Sequence, residues 1–281
     1  MLGTILSFTG TNEKFLLSSF ILMIPLELYL ADRFKVSKIK FFLFSILAIY
    51  FSYLIGRIFH VYLDAYKLVM TTSELKVWLR YFLVPSSSTT MFYGSLLGCL
   101  IGIAFIYPCL RKDKSAYLRC FDITIICFAF TAIFSRFDDF RFTDAWGIPF
   151  DSPFSLVFPS GSVAARRLAK RGIIEAGMPT PPLFPTQPIM ILAKIIIFFI
   201  LLLKSFKDKK KVPLNYVALY FLMYGPYRIC IDFFRFDRAA YFHGLTVSQW
   251  LSIIFTILAI LYYKFLYKKL EKKCCSNEET K

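Results

Sequence analysis

Residues 41–63 read Phe-Phe-Leu-Phe-Ser-Ile-Leu-Ala-Ile-Tyr-Phe-Ser-Tyr-Leu-Ile-Gly-Arg-Ile-Phe-His-Val-Tyr-Leu, and Arg57 is the only full charge among them. At 1.5 Å per residue a helix of that length rises about 35 Å, enough to cross the roughly 30 Å hydrocarbon core of a bilayer. Inside hydrocarbon each backbone N–H and C=O must pair internally, which a helix achieves and an isolated strand does not. Working outward, six further apolar runs appear: Phe15–Ala31, Thr90–Leu110, Leu118–Phe134, Ile189–Leu203, Leu214–Ile231 and Thr246–Phe265. The expected fold class is therefore all-α, a polytopic membrane protein of about seven transmembrane helices. Composition agrees, since 57% of the 281 residues are hydrophobic and phenylalanine alone occurs 33 times. A soluble chain of this size needs more polar surface than that.

The formal charge of +16 raises nucleic acid as a partner, but its placement argues for the membrane. Basic residues fall in short clusters beside apolar runs, and no basic and aromatic nucleic-acid module is visible. Arg33 to Lys40, Arg111 to Lys114, Lys204 to Lys211 and Lys264 to Lys273 occupy alternate connections and the tail, which assigns them to the cytoplasm. Asp64 to Ser88, Ser135 to Pro188 and Asp232 to Leu245 are then external. The N-terminus is expected outside and the C-terminus in the cytoplasm. Residues 1–265 form one membrane domain, and residues 266–281 a basic cytoplasmic tail. The first run is read as a retained helix, because its basic cluster follows it, the reverse of a signal peptide. The seven cysteines have no metal-ligand spacing, and neither metal nor diffusible cofactor is implied.

The long external segment, 135–188, is of a length that is usually functional. Within it Val163–Ile174 carries Ala-Ala-Arg-Arg-Leu-Ala-Lys-Arg, an amphipathic stretch suited either to lying on lipid headgroups or to a solvated connector helix. Three arginines near span ends need a partner or a purpose at that depth. They are Arg57, Arg136 in Ser135-Arg136-Phe137-Asp138-Asp139, and Arg228 with Asp232 one turn later on the same face. Planar guanidinium groups converging at headgroup depth suit a phosphate, to which each donates two parallel hydrogen bonds. Ion pairing with Asp138, Asp139 and Asp232 is the alternative reading of the same residues.

Several segments, in order from Gly56 to Trp250, resemble the prolipoprotein diacylglyceryl transferase family of the bacterial inner membrane. Gly56-Arg57-Ile58-Phe59 is similar to that family's Gly-Ala-Arg-Leu-Phe, and Phe92-Tyr93-Gly94-Ser95-Leu96-Leu97-Gly98 to its Phe-His-Gly-Gly-Leu-Leu-Gly. Leu118-Arg119-Cys120-Phe121-Asp122 resembles the stretch that places an aspartate early in the next span. Ser135 to Gly147 is a degraded form of Gly-Arg-Ile-Gly-Asn-Phe-x-Asn-Gly-Glu-x-Tyr-Gly. Val157-Phe158-Pro159, Phe184-Pro185-Thr186-Gln187, and Tyr224-Gly225-Pro226-Tyr227-Arg228 running on to Asp232-Phe233-Phe234-Arg235 follow, then Gly244 to Trp250.

The resemblance implies transfer of a diacylglyceryl group from phosphatidylglycerol to the lipobox cysteine thiol of a prolipoprotein signal peptide. Such a reaction needs a phosphate clamp, a base and a lipid-accessible cleft. It assigns Tyr93, Arg136 and Arg228 as catalytic, and Arg57, Asp139, Asp144, Gln187, Tyr224, Asp232 and Arg235 as substrate-binding. Two family histidines are replaced, by Tyr93 and Phe184, and signature asparagines by Asp139 and Phe142. Phe184 cannot accept a proton, and a tyrosine ionises well above neutral pH unless its surroundings intervene. His60 and His243 are the remaining histidines and the other candidates for a base. The lost histidines also admit a non-catalytic relative that binds phospholipid or lipoprotein precursors.

Overall fold

A computed structural model describes residues 14–63, 98, 101, 102, 104, 107, 114–141, 143–208, 211–236 and 243–272. The helices are α1 (Lys14–Arg33), α2 (Lys38–Leu63), α3 (Lys114–Arg141), α4 (Val163–Lys170), α5 (Thr186–Lys207), α6 (Asn215–Phe233) and α7 (Val247–Leu261), the last continuing through a π-helical turn, Tyr262–Leu266. No β-strand occurs among the described residues. Among the described residues, four stretches are long and apolar enough to cross a membrane: Lys38–Ile55, Lys114–Arg141, Thr186–Lys207 and Val247–Lys272. The runs expected at Phe15–Ala31 and Leu214–Ile231 also form helices, α1 and α6; α6 has Asn215, Arg228 and Asp232 along it and falls outside those four. Most of the run expected at Thr90–Leu110 lies outside the described residues.

The chain divides into two compact units. The first holds residues 25–120 together with the first fourteen. Its buried residues include Leu30, Ala31, Phe34, Phe41 and Phe44, which close the short connection between α1 and α2. Glu27 is buried there too, and Ser45 Oγ donates to its carboxylate at 3.4 Å. Gly98 and Gly102, four residues apart, lie against the backbone of α2, where a Cβ at either position would collide with Phe51 or Leu47. Small residues at that spacing let helix backbones approach closely in lipid.

The second unit, residues 15–24 and 121–281, contains the charged helix ends of interest. Helix α6 begins after Leu214, a non-glycine residue in the left-handed region at φ 63°. Asp122 of α3 holds this start from 92 residues away. Its carboxylate, wholly buried, accepts from the backbone N–H groups of Leu214 (2.7 Å), Tyr216 (2.8 Å) and Val217 (3.1 Å). These are orphan donors of a helix start, satisfied by a distant residue instead of a local cap. Tyr262 Oη donates to the Pro213 carbonyl (2.6 Å) and Tyr263 Oη to Asn215 Oδ1 (2.8 Å), fixing the far end of α7 beside the same turn. Further along, Gly225 faces Ser252 and Thr256 of α7 with no room for a side chain.

Between α3 and α5 the chain folds on itself. Isolated antiparallel bridges join Gly147 to Arg235, Pro149 to Leu183 and Leu156 to Leu183. Trp146, Phe158, Ala164, Leu168 and Leu183 form a small core under them. Helix α4 is capped by Ser162, whose side chain accepts from Ala165 N, and it turns Ala164, Ala165 and Leu168 into that core. The apolar face of this basic helix, Ala164, Ala165 and Leu168, is thus buried in the protein, and its charged face is left outward. The local sequence pattern was right about amphipathicity and silent about what covers it.

Candidate functional site

The C-terminal ends of α3 and α6 carry the charged cluster. On α3, Arg136 Nη1 meets Asp139 Oδ2 at 2.5 Å, an i,i+3 pair. On α6, Arg228 Nη2 lies 3.2 Å from Asp232 Oδ1, and Arg235 Nη1 lies 3.5 Å from the same oxygen. Thr246 Oγ1 donates to the other carboxylate oxygen at 3.0 Å. Asp232 is 1% exposed, so two cations and a hydroxyl replace its water, as a buried carboxylate requires. Thr246 is also the N-cap of α7, in a capping box with Gln249. Gln249 Nε2 reaches back to the Ile229 carbonyl at 3.1 Å. One residue therefore couples the start of α7 to the ion cluster.

Arg136 and Arg228 each meet a single carboxylate, and no other ion pair or hydrogen bond engages them among the described residues. A guanidinium has five N–H donors, so both keep donors for a further anion. They act on the same surroundings: the charges of Arg136 and Arg228 both reach Tyr220, Tyr227 and Lys194, and those of Arg136, Arg235 and Asp144 reach Asp139. Tyr224 completes this wall, stacked on Tyr220 with ring centroids 5.2 Å apart.

The remaining expected site residues are placed differently. The Asp144 carboxylate, half-exposed, pairs with Arg167 of α4 at 3.2 Å. Gln187 is buried and its side-chain amide donates to the Asp144 carbonyl at 2.9 Å. Next to it Thr186 Oγ1 donates to the Ala145 carbonyl at 2.7 Å. Thr186 and Gln187 thereby fasten the start of α5 to the chain leaving α3. Phe184 stacks on Phe234 at 4.7 Å and meets Phe150 edge-on at 5.4 Å, an aromatic packing role with no proton to offer. Arg57 belongs to α2 in the first unit; its side chain and that of His60 lie outside the described residues, as does Tyr93. His243 sits in a turn before α7 with φ 47°.

Two residues of this cluster were not singled out as site residues from the sequence. Lys194, on α5, is 5% exposed, and its Nζ lies 3.9 Å from the centroid of the Tyr224 ring. Tyr227 Oη is buried and without a hydrogen-bond partner. A lysine inside an apolar run is a visible signal; its aromatic surroundings come from other helices and are not.

The family model described as Prolipoprotein diacylglyceryl transferase matches residues 15–265. Similar proteins include the phosphatidylglycerol–prolipoprotein diacylglyceryl transferase of Proteus mirabilis (strain HI4320), 25% identical over 63% of this chain and 62% of its own. Another is transferase 2 of that name from Clostridium perfringens (strain 13 / Type A), 28% identical over 61% of this chain and 60% of its own. A third is that of Vibrio parahaemolyticus serotype O3:K6, 28% identical over 63% of this chain and 59% of its own. The chain thus spans about three-fifths of the length of the curated relatives it matches. Since the family match covers nearly the whole run of apolar helices and includes both arginine-bearing ends, the chain belongs to the prolipoprotein diacylglyceryl transferase family.

Proposed function

We propose that this protein is a membrane-embedded diacylglyceryl transferase, moving the diacylglyceryl group of phosphatidylglycerol onto the lipobox cysteine thiol of a prolipoprotein signal peptide. The observation that carries the reading is the pair Arg136 and Arg228, each tied to one carboxylate with donors left over, within a family that shares this name. In the reaction the thiol loses its proton and the thiolate sulfur attacks the diacylglyceryl carbon that is esterified to the phosphate. A C–S bond forms, the C–O bond to phosphate breaks, and glycerol phosphate departs with the electron pair. Arg136 and Arg228 hold the phosphate before and after that break, where charge develops on the leaving oxygen. Tyr93, in the segment that resembles the family's Phe-His-Gly-Gly-Leu-Leu-Gly, takes the proton-handling role.

Arg57, Asp139, Asp144, Gln187, Tyr224, Asp232 and Arg235 complete the substrate site in this reading, some by contact and others by holding the clamp. Asp232 is the positioning carboxylate, since it aligns both Arg228 and Arg235. The reading includes seven spans, N-terminus outside and C-terminus cytoplasmic, in the bacterial inner membrane. Segment 135–188 is then external, residues 1–265 are the membrane domain, and residues 266–281 the tail. What supports this topology is the alternation of basic clusters along the chain.

The test gives the purified protein phosphatidylglycerol and a lipobox peptide in detergent, with mass spectrometry of the peptide. A diacylglyceryl adduct that disappears with Arg136→Ala supports the transferase. No adduct, with phosphatidylglycerol still bound, identifies a lipid-binding relative without the chemistry.

A further inference from the structure

Lys194 is the least expected charge in the second unit. It lies eight residues into α5 from Thr186, about 12 Å along the axis at 1.5 Å per residue. Burying an ammonium in an apolar helix is costly unless it is paired. Yet among the described residues no carboxylate pairs with it; its Nζ donates to Tyr220 Oη at 3.2 Å and sits over the Tyr224 ring at 3.9 Å. Phe128 and Tyr220 rings lie farther, at 5.9 and 5.7 Å. The aromatic faces favour the cation but supply no counter-charge. The full charges that act on it are Arg136 and Arg228, both of its own sign.

Position decides what this charge is for. Tyr224, the ring under the ammonium, is one helical turn before Arg228 on α6, about 6 Å along the axis. Between these levels lies Tyr227, whose buried hydroxyl has no hydrogen-bond partner. An ammonium without a carboxylate, a free buried hydroxyl and two arginines with donors to spare thus border one region. All four want an acceptor, and an anionic one.

We propose that Lys194 is a lipid-contacting residue, its ammonium meeting the phosphodiester of a phospholipid from the hydrocarbon side while Arg136 and Arg228 hold it from the helix ends. This rests on reading the two arginines as a headgroup clamp and adds a third cation on a different helix. The lipid phosphate supplies the counter-charge, and Tyr227 Oη donates to the same group. The site accordingly selects a phospholipid over a phosphate-free diacylglycerol.

The test measures binding of labelled phosphatidylglycerol and of labelled diacylglycerol to the full chain in detergent, for the parent and for Lys194→Met and Lys194→Gln. Glutamine keeps a donor toward Tyr220, so one of the two neutral variants suffices. The expected result is phosphatidylglycerol binding weakened about tenfold, unchanged diacylglycerol binding, and a melting temperature at or above the parent's, because a buried unpaired charge has been removed. Unchanged phosphatidylglycerol binding overturns the proposal. So does an equal loss for both lipids with a lower melting temperature, which marks packing alone. Displacement of the lipid by millimolar inorganic phosphate in a Lys194-dependent way assigns the site to a soluble anion and also overturns it. Transfer to the peptide is followed in the same samples. Lys194-dependent binding without transfer leaves this inference standing and removes the enzymatic reading; transfer with Lys194-independent binding does the reverse.

Discussion

The two ends of α6 each meet a buried aspartate, and the two carboxylates are satisfied in opposite ways. At the N-terminal end Asp122, wholly buried, accepts three backbone N–H groups. Those donors are fixed in place and belong to the helix itself, so nothing is left over to bind a ligand. At the C-terminal end Asp232, 1% exposed, accepts from two arginines and a threonine. Arg228 has more donors than its one carboxylate can use. The difference teaches how to tell architecture from a site: not by burial or charge, which the two ends share, but by which side of the hydrogen bonding has unspent capacity.

The largest stability effect is expected from Asp122→Ala. It leaves three helix-start donors buried without an acceptor, which costs about 3–5 kcal/mol at 1–3 kcal/mol for each unsatisfied group, less partial relaxation. Thermal unfolding in detergent measures it, and the molecules that remain folded should transfer at the parental rate. Loss of transfer per folded molecule would break the comparison, because the N-terminal end would then contribute to function.

Thr246→Val should come next, at about 2 kcal/mol, since one hydroxyl caps α7 and also donates to Asp232. Thr246→Ser should recover most of that loss while changing little else. Equal melting of the valine and parent proteins would show that the coupling of α7 to the ion cluster carries no energy. The smallest effect is expected from Arg167→Met. Its pairing with Asp144 is half-exposed, so removal shifts stability by less than about 1 kcal/mol, and the shift should fade with added salt. A large, salt-independent loss would mean that the cation over Trp146, at 5.5 Å from its ring centroid, matters more than the ion pair.

Much of this was legible in the chain, and the reasons are local. Arg228 and Asp232 are four residues apart and Arg136 and Asp139 three, so helical geometry alone puts each pair on one face. Apolar runs between basic clusters gave the helices α2, α3 and α5 close to their observed extents, because length and polarity decide what can cross hydrocarbon. The rest depends on distant contacts. Asp122 caps a helix 92 residues away, and the aromatic faces around Lys194 come from α3 and α6. The fate of the basic helix α4 turned on Trp146 and Leu183, which no pattern within Val163–Lys170 announces. Asp144 and Gln187 lie in segments that resemble family motifs, but their bonds, to Arg167 and to a backbone carbonyl, had no signature in their neighbours.

The most direct test is the rate of diacylglyceryl transfer to a lipobox peptide by Arg228→Ala, normalised to folded protein by its melting curve. Asp232 keeps Arg235 and Thr246 in this variant, so the fold should survive. The expected result is a fall of about 10³-fold, the size seen when a donor to developing charge is removed, with melting little changed. An Arg228→Ala protein that transfers at the parental rate would contradict it, and would leave the C-terminal end of α6 as architectural as the N-terminal one.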